Sequence, residues 1–368
     1  MARTERAREA ESKKSLQMVG EKFYLPPEWS RHEATWLAWP HQRADWPGKF
    51  AAIPWVFAEM VRRLIPGELV RLIVLDAKHE AAARRVLERV LGSARRWEAR
   101  VQFFRIPTDR GWTRDMGPIF LRRGGLRVVA DFRFNGWAKY DNHRLDDRVA
   151  RRAAKKLGIE VIRPTVAGRP VVLEGGAIDV NGAGTLLTTR QCMLDHSQQP
   201  RNPQFSQKQL EEVFDRYLGA PNVFYFDEGI AGDDTGGHID DLCRFVSPNT
   251  VALMTCDHPS DENYRPLNRC REQVADLRLA DGSRPEVIYL PSPEPLYFRG
   301  QRLPASYANF YIGNEVVLVP TFNDPADRMA LGLLAEVFPN RQVIGIHAVD
   351  LVWGLGTIHC LTQQQPAD

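Results

Sequence analysis

No stretch of the 368 residues approaches the run of about twenty apolar side chains that a membrane helix needs. The first twenty residues, MARTERAREAESKKSLQMVG, lack the apolar core of a secretory leader, and they read as a charged, mobile tail ahead of a single domain over 21–368. Cysteine is scarce: there are five, at positions 192, 243, 256, 270 and 360, with no CxxC pair. An odd, scattered set argues against a disulfide framework or a structural zinc site, and reduced thiols in a cytoplasm are the expectation. An excess of one charge is missing too, with 49 Lys and Arg against 46 Asp and Glu. The local clusters Arg84-Arg85 and Arg151-Arg152 with Lys155-Lys156 fall on helical periodicity, and read as solvated faces. The glycines form neither GxGxxG nor a phosphate loop. Membrane and nucleic-acid partners are therefore not expected; a small-molecule partner is, with self-association into a homo-oligomer left open.

What the sequence does have is a weak repeat. PIFLRRGGLRVVAD (118–131), AIDVNGAGTLLTT (177–189), IDDLCRFVSPNTVALMT (239–255) and ANFYIGNEVVLV (308–319) each place two apolar runs around turn residues, the signature of a hairpin. Their starts lie roughly sixty residues apart, a spacing that suggests an array of similar units. Helical periodicity falls between them, near 53–65, 77–91, 143–157, 206–218, 264–279 and 325–338. Ser206 with Gln209 reads as a capping box, and Asp324-Pro325 as a helix start. Single strands are expected at Val70–Leu75, Val101–Ile106 and Val223–Phe226. A fifth hairpin would join the ends of the chain if GTIHCLT (356–362) pairs with ATWLAWP (34–40). The expected class is therefore α/β, a five-bladed pseudo-symmetric propeller of repeated strand-helix-hairpin units.

Polar residues stand at or just before the first strand of each hairpin: Asp115, Glu174, His238 with Asp240, and Cys360. In a ring these positions converge. Gathering a thiol, an imidazole and three carboxylates is costly unless they serve a task, because buried charge must be paired. If 238–243 is extended, side-chain alternation puts His238 and Asp240 on one face and Asp241 and Cys243 on the other. Alternation likewise turns His359 away from Cys360, which makes His359 a poor base for its neighbour. The other four cysteines read as small buried apolar residues.

WTRDMGP (112–118), LEGGAIDVNGAGTLLTT (173–189), GGHIDDLCRFV (236–246), RLPASYANFYI (302–312) and GTIHCLTQQQP (356–366) together resemble the agmatine deiminase family, as does PPEWSRHEATWLAWP (26–40). The resemblance runs from about Phe23 to Pro366. It implies membership of the guanidine-modifying superfamily, whose fold is a five-bladed α/β propeller, and use of neither metal nor organic cofactor. Carried over by motif, Cys360 is the nucleophile and His238 the general acid/base. Asp115 and Asp240 hold the guanidinium and Glu174 orients His238, while Trp112 and Asp234 contact substrate. The implied reaction is hydrolysis of agmatine to N-carbamoylputrescine and ammonia through a covalent thiouronium, a step in putrescine and polyamine biosynthesis. The alternatives are a deiminase of another small guanidino compound and an amidinotransferase with the same chemistry. A manganese ureohydrolase would need a carboxylate cluster such as DxHxD, which is absent. The sequence departs from the family at Asp234, where a glutamate is usual, and at Gly236, Leu355 and Thr357.

Overall fold

The computed structural model describes residues 22–368. The expected N-terminal tail lies outside the described residues. All four internal hairpins are present, as antiparallel pairs 119–123/126–130, 179–180/185–189, 243–247/250–254 and 311–312/316–321. In each case the second strand then pairs in parallel with a third, at 160–162, 222–226, 286–290 and 342–347 respectively. A parallel partner requires a crossover, and a helix supplies it each time. These helices are Val149–Leu157, Gln207–Val213 with its continuation Phe214–Leu218, Tyr264–Gln273 and Ala326–Val337.

The fifth sheet joins the two ends of the described chain. Strand His32–Ala38 pairs antiparallel with Thr362–Pro366 and parallel with Leu69–Val74, which in turn pairs with Val101–Arg105. The closing strand lies later than expected. Residues 358–361 form a single helical turn, and Leu37 faces Thr362. The reason is that TQQQP is polar in composition but internal in position. Gln365 Oε1 accepts the Trp36 indole N–H at 2.9 Å, and Gln364 Oε1 accepts Arg114 Nη1 at 2.7 Å. Buried amides satisfied in this way can occupy a strand that apolar patterning overlooks.

The helices start and stop where local chemistry dictates. Ser206 and Gln209 form the reciprocal capping box. Asp324 Oδ1 accepts the N–H of Ala326 at 2.8 Å. Gly158 ends its helix in the left-handed conformation open to glycine. Ile53, Phe57, Met60, Val61 and Leu64 recur at helical spacing and bury one face of Ile53–Leu64. Tyr264–Gln273 is shorter than expected, giving way to a tighter turn at 274–276. Among the described residues, no helix is long and apolar enough to cross a membrane.

Candidate active site

The expected site residues lie on the segments that lead into the hairpins, and most of these segments are tight turns. Asp115 belongs to the helical turn Thr113–Met116, Glu174 precedes the 3-10 turn Gly175–Ala177, and Asp240 lies in the turn Ile239–Asp241 capped by His238. Cys360 lies in the turn Ile358–Leu361. The extended reading of 238–243 is thus corrected: the strand begins only at Cys243. A turn carries successive side chains around an axis, so Asp241 is not sent to the opposite face. Carboxylate oxygens of Asp240 and Asp241 and the Cys360 sulfur all lie within 4.8 Å of one another.

Gly176 marks the point of convergence. A Cβ there would stand 2.6 Å from His238 Nδ1, 2.9 Å from Asp115 Oδ1 and 3.0 Å from Asp240 Oδ2. Only glycine leaves room for three side chains at that approach. Its N–H also donates to Asp115 Oδ1 at 3.1 Å. Gly356 does the same for the nucleophile candidate. A Cβ at 356 would meet Trp112 at 2.8 Å and Cys360 Sγ at 3.2 Å.

Several acceptors and donors here have no partner of their own. His238 Nδ1 lies 3.8 Å from Asp115 and 4.0 Å from Asp240, and Nε2 lies 4.0 Å from Glu174 Oε2. These spacings exceed hydrogen-bond length. Both His238 nitrogens, Glu174 Oε2, Asp240 Oδ1 and Asp241 Oδ1 are buried without a hydrogen bond. Arg201 Nε holds the other Glu174 oxygen at 3.2 Å. Buried polar atoms left open in this number mark a place built to receive polar groups.

The charges set the protonation states. Burial works against the imidazolium of His238, but Asp115, Cys192 and Asp240 outweigh it and hold its pKa well above the ordinary value. Burial pushes the Asp115 carboxyl up to about 6, against the pull of His238. Asp240, although buried, is held below the carboxylate range by His359, His238 and Arg244. Burial, with Asp240, Asp241 and Asp115 nearby, raises the Cys360 thiol well above its usual value. Burial and the same crowd of carboxylates raise Asp241 strongly. The site has an excess of acceptors, which works against a further negative charge on its thiol.

A cavity of about 330 Å³ opens onto this cluster. Of the sequence-predicted residues, Cys360, Asp115, Trp112 and Asp234 line it. Asp234 already accepts Tyr140 Oη at 2.6 Å and pairs with Lys139 Nζ at 2.5 Å. Asp45, also in the wall, accepts Arg110 Nη1 at 2.6 Å and the Trp112 indole at 3.2 Å. Burial pushes the Asp45 carboxyl up to about 6, with Arg110 opposing. Leu355 lines the same cavity in a left-handed backbone, φ 67°, where a glycine is the unstrained residue.

Sequence reasoning missed several residues that complete the site. The Trp137 indole donates to Asp115 Oδ2 at 2.9 Å. Asn309 Nδ2 lies 3.1 Å from Cys360 Sγ. His359 does point away from the sulfur, toward Asp240 and Glu28. Cys192, read as a small apolar residue, lies with Glu174 and His238, their ligand atoms within 4.8 Å of one another. The signals were faint: an Asn inside an aromatic run, a Trp after an Asn-Gly turn, and a histidine beside a cysteine. Arg114, next to Asp115 in the chain, bonds Glu28, Gln364 and the His359 carbonyl.

A mixed α/β fold with a buried thiol, an imidazole and open carboxylates beside one pocket is the setting of a guanidine-modifying enzyme. The chain matches the family model described as Porphyromonas-type peptidyl-arginine deiminase over residues 24–366, and it belongs to that family. It is 34% identical to the agmatine deiminase of Stutzerimonas stutzeri (strain A1501), over 94% of this chain and 96% of the relative. To the agmatine deiminase of Pseudomonas aeruginosa (strain LESB58) it is 33% identical, with the same coverage. Among solved structures, a substrate-bound cysteine-to-serine variant of the C. jejuni agmatine deiminase superposes with a TM-score of 0.82 at 29% identity, over 94% of this chain and 97% of that one. The agmatine deiminase of Enterococcus faecalis gives 0.82 at 27%, over 94% and 96%.

Proposed function

We propose that this chain is an agmatine deiminase, with Cys360 as nucleophile, His238 as acid and base, Asp115 and Asp240 as the guanidinium clamp, and Glu174 orienting His238. The observation that carries the reading is the closeness of His238, Asp115 and Asp240 around Gly176, with unsatisfied acceptors beside the Cys360 thiol. A guanidinium is planar and presents its donors as a fork, the complement of two carboxylates. Its arrival places a positive charge next to a sulfur whose proton is retained by burial and three carboxylates. That charge offsets the carboxylates and releases the thiol proton to water in the cavity. The thiolate attacks the central carbon, forming a C–S bond. The imidazolium of His238 protonates the departing nitrogen, which leaves as ammonia. A thiouronium on Cys360 remains; His238, now neutral, takes a proton from water as the hydroxyl adds, and the C–S bond then breaks as the hydroxyl proton passes to the departing sulfur, which releases N-carbamoylputrescine and restores the thiol.

Four three-stranded sheets of one topology, and a fifth that repeats it with one added parallel strand and joins the two ends of the described chain, support the five-bladed ring as a single catalytic domain over 21–368. The reading places the chain in putrescine and polyamine biosynthesis in a reducing cytoplasm, where free thiols such as these persist. Homo-oligomerisation is compatible with this reading. Trp112 and Asp234 serve as walls for the diamine arm. A second reading, deiminase of another small guanidino compound, is favoured by one feature. Asp234 is already engaged by Lys139 and Tyr140, and Arg110 stands in the cavity wall. Ammonia release from agmatine, arginine and guanidino acids, measured without any amine acceptor, decides among these readings and an amidinotransferase. Preference for agmatine supports the proposal; preference for an acidic guanidino compound supports the second reading.

A further inference from the structure

A short strap, residues 135–140, lines the cavity through Trp137 and Tyr140. Its backbone is left-handed at three successive positions, with φ of 68° at Gly136, 57° at Trp137 and 54° at Ala138. That conformation is costly for the two residues that are not glycine, so contacts must hold it. The N–H groups of Lys139 and Tyr140 both donate to the Gly136 carbonyl at 3.0 Å, and Asn135 Oδ1 accepts the Ala138 N–H at 2.9 Å. The strap reaches both ends of the cavity. The Trp137 indole bonds Asp115, while Lys139 Nζ and Tyr140 Oη take one oxygen each of Asp234, at 2.5 and 2.6 Å. Gln199 Nε2 donates at 3.1 Å to the carbonyls of both Trp137 and Asp234, and so fastens the strap to the loop that carries Asp234. A Cβ at Gly236 would stand 2.8 Å from Gln199 Oε1, so glycine at that position makes room for the fastener.

We propose that Lys139 is a specificity-determining residue: its ammonium holds on Asp234 the place of the substrate's distal amine, and yields it only to an amine whose guanidinium is already clamped. This assignment rests on the reading of the chain as an agmatine deiminase with Asp234 as the contact for the amine. The far wall is charge-balanced before any substrate enters, since Arg110 pairs with Asp45 and Lys139 with Asp234. The guanidinium end is not, since Glu174, Asp240 and Asp241 each keep an open buried oxygen. A diamine free in the cavity gains little by exchanging one ion pair for another. An amine tethered to a clamped guanidinium competes instead at the effective concentration that its arm sets. Lys139 is able to yield: its side chain is 42% exposed, and its flexible four-carbon stem can carry the ammonium out into water. Asp234, with a side chain only 15% exposed, stays in the wall.

The test compares kcat/KM for agmatine with that for 1-butylguanidine, which has the same arm without the amine, in wild type, Lys139→Met and Lys139→Arg. Lys139→Met is expected to raise the agmatine-to-butylguanidine ratio about three- to tenfold, the upper range for a partly exposed ion pair, with the gain in KM and not in kcat. Inhibition by 1,4-diaminobutane should strengthen by a similar factor. Lys139→Arg keeps the charge on Asp234 and should keep the wild-type ratio. A ratio in Lys139→Met that is unchanged or lower than in wild type, or diamine inhibition no stronger, overturns the proposal. Failure of the functional reading is distinct, because it appears in the wild type: no ammonia is then released from agmatine, and the assignment of Lys139 falls with it.

Discussion

The His359 imidazole meets Asp240 Oδ2 through Nδ1 at 2.7 Å and reaches Glu28 Oε2 through Nε2 at 2.8 Å. The neighbour of the nucleophile candidate therefore acts on the clamp. It fixes one oxygen of Asp240, leaves Oδ1 open, and helps to keep the carboxyl ionised. Removing one partner of a buried charged hydrogen bond costs about 1.5–3 kcal/mol, or roughly ten- to a hundredfold in rate. His359→Ala is expected to lose that much in kcat/KM for agmatine, with Cys360 still alkylated. Unchanged kcat/KM would show that Asp240 needs no such support.

Asp115→Asn and Asp240→Asn are each expected to weaken agmatine binding and turnover about ten- to a hundredfold, because a neutral amide loses the charge and half the acceptor capacity. Calorimetric titration of agmatine into the Cys360→Ala background separates binding from chemistry. An affinity unaffected by both substitutions removes them from the clamp.

The pH profile has a sign that follows from Asp115. Its carboxyl is pushed up to about 6, burial being the largest cause, with Asp240 and Glu174 adding to it. Below that pH the group is protonated and cannot grip a cation, so kcat/KM should fall as pH drops through about 6. The stability sign is the reverse. A carboxyl raised above 3.8 on folding destabilises the fold at neutral pH, and that cost is relieved as pH falls through 6 toward 4. The Trp137 indole donates to Asp115 and lowers its pKa. Trp137→Phe should therefore move the acid limb of the profile upward. An acid limb that stays in place would detach it from Asp115.

Much of this was legible in the sequence, because hairpins announce themselves through alternation and turn residues, and helices through period and caps. Two segments were not legible. TQQQP is polar, and only tertiary contacts from Trp36 and Arg114 make it a buried strand. GGHIDD contains an apolar residue between polar ones and suggests a strand, yet it folds as a 3-10 turn. That error placed Asp241 on the wrong side of the site. Partners such as Trp137 and Asn309 lie 22 and 51 residues from the groups they serve, and no local pattern reports such contacts.

The proposed function gives Asp234, in the cavity wall, the choice of substrate. Asp234→Ala is expected to raise KM for agmatine about tenfold, the loss of roughly one charge-assisted contact, with a smaller effect on kcat and no effect on arginine. Initial-rate measurements with both compounds check this. If agmatine turnover is untouched, the diamine arm is held elsewhere and the second reading gains.

The covalent role of Cys360 is tested most directly by acid-quenching the protein during turnover of agmatine and measuring the intact mass. The account predicts a species heavier by agmatine less ammonia. It should map to the Cys360 peptide, decay as ammonia and N-carbamoylputrescine accumulate, and be absent in Cys360→Ser, which should not turn over. Steady turnover in Cys360→Ser, or an adduct on another residue, would contradict it.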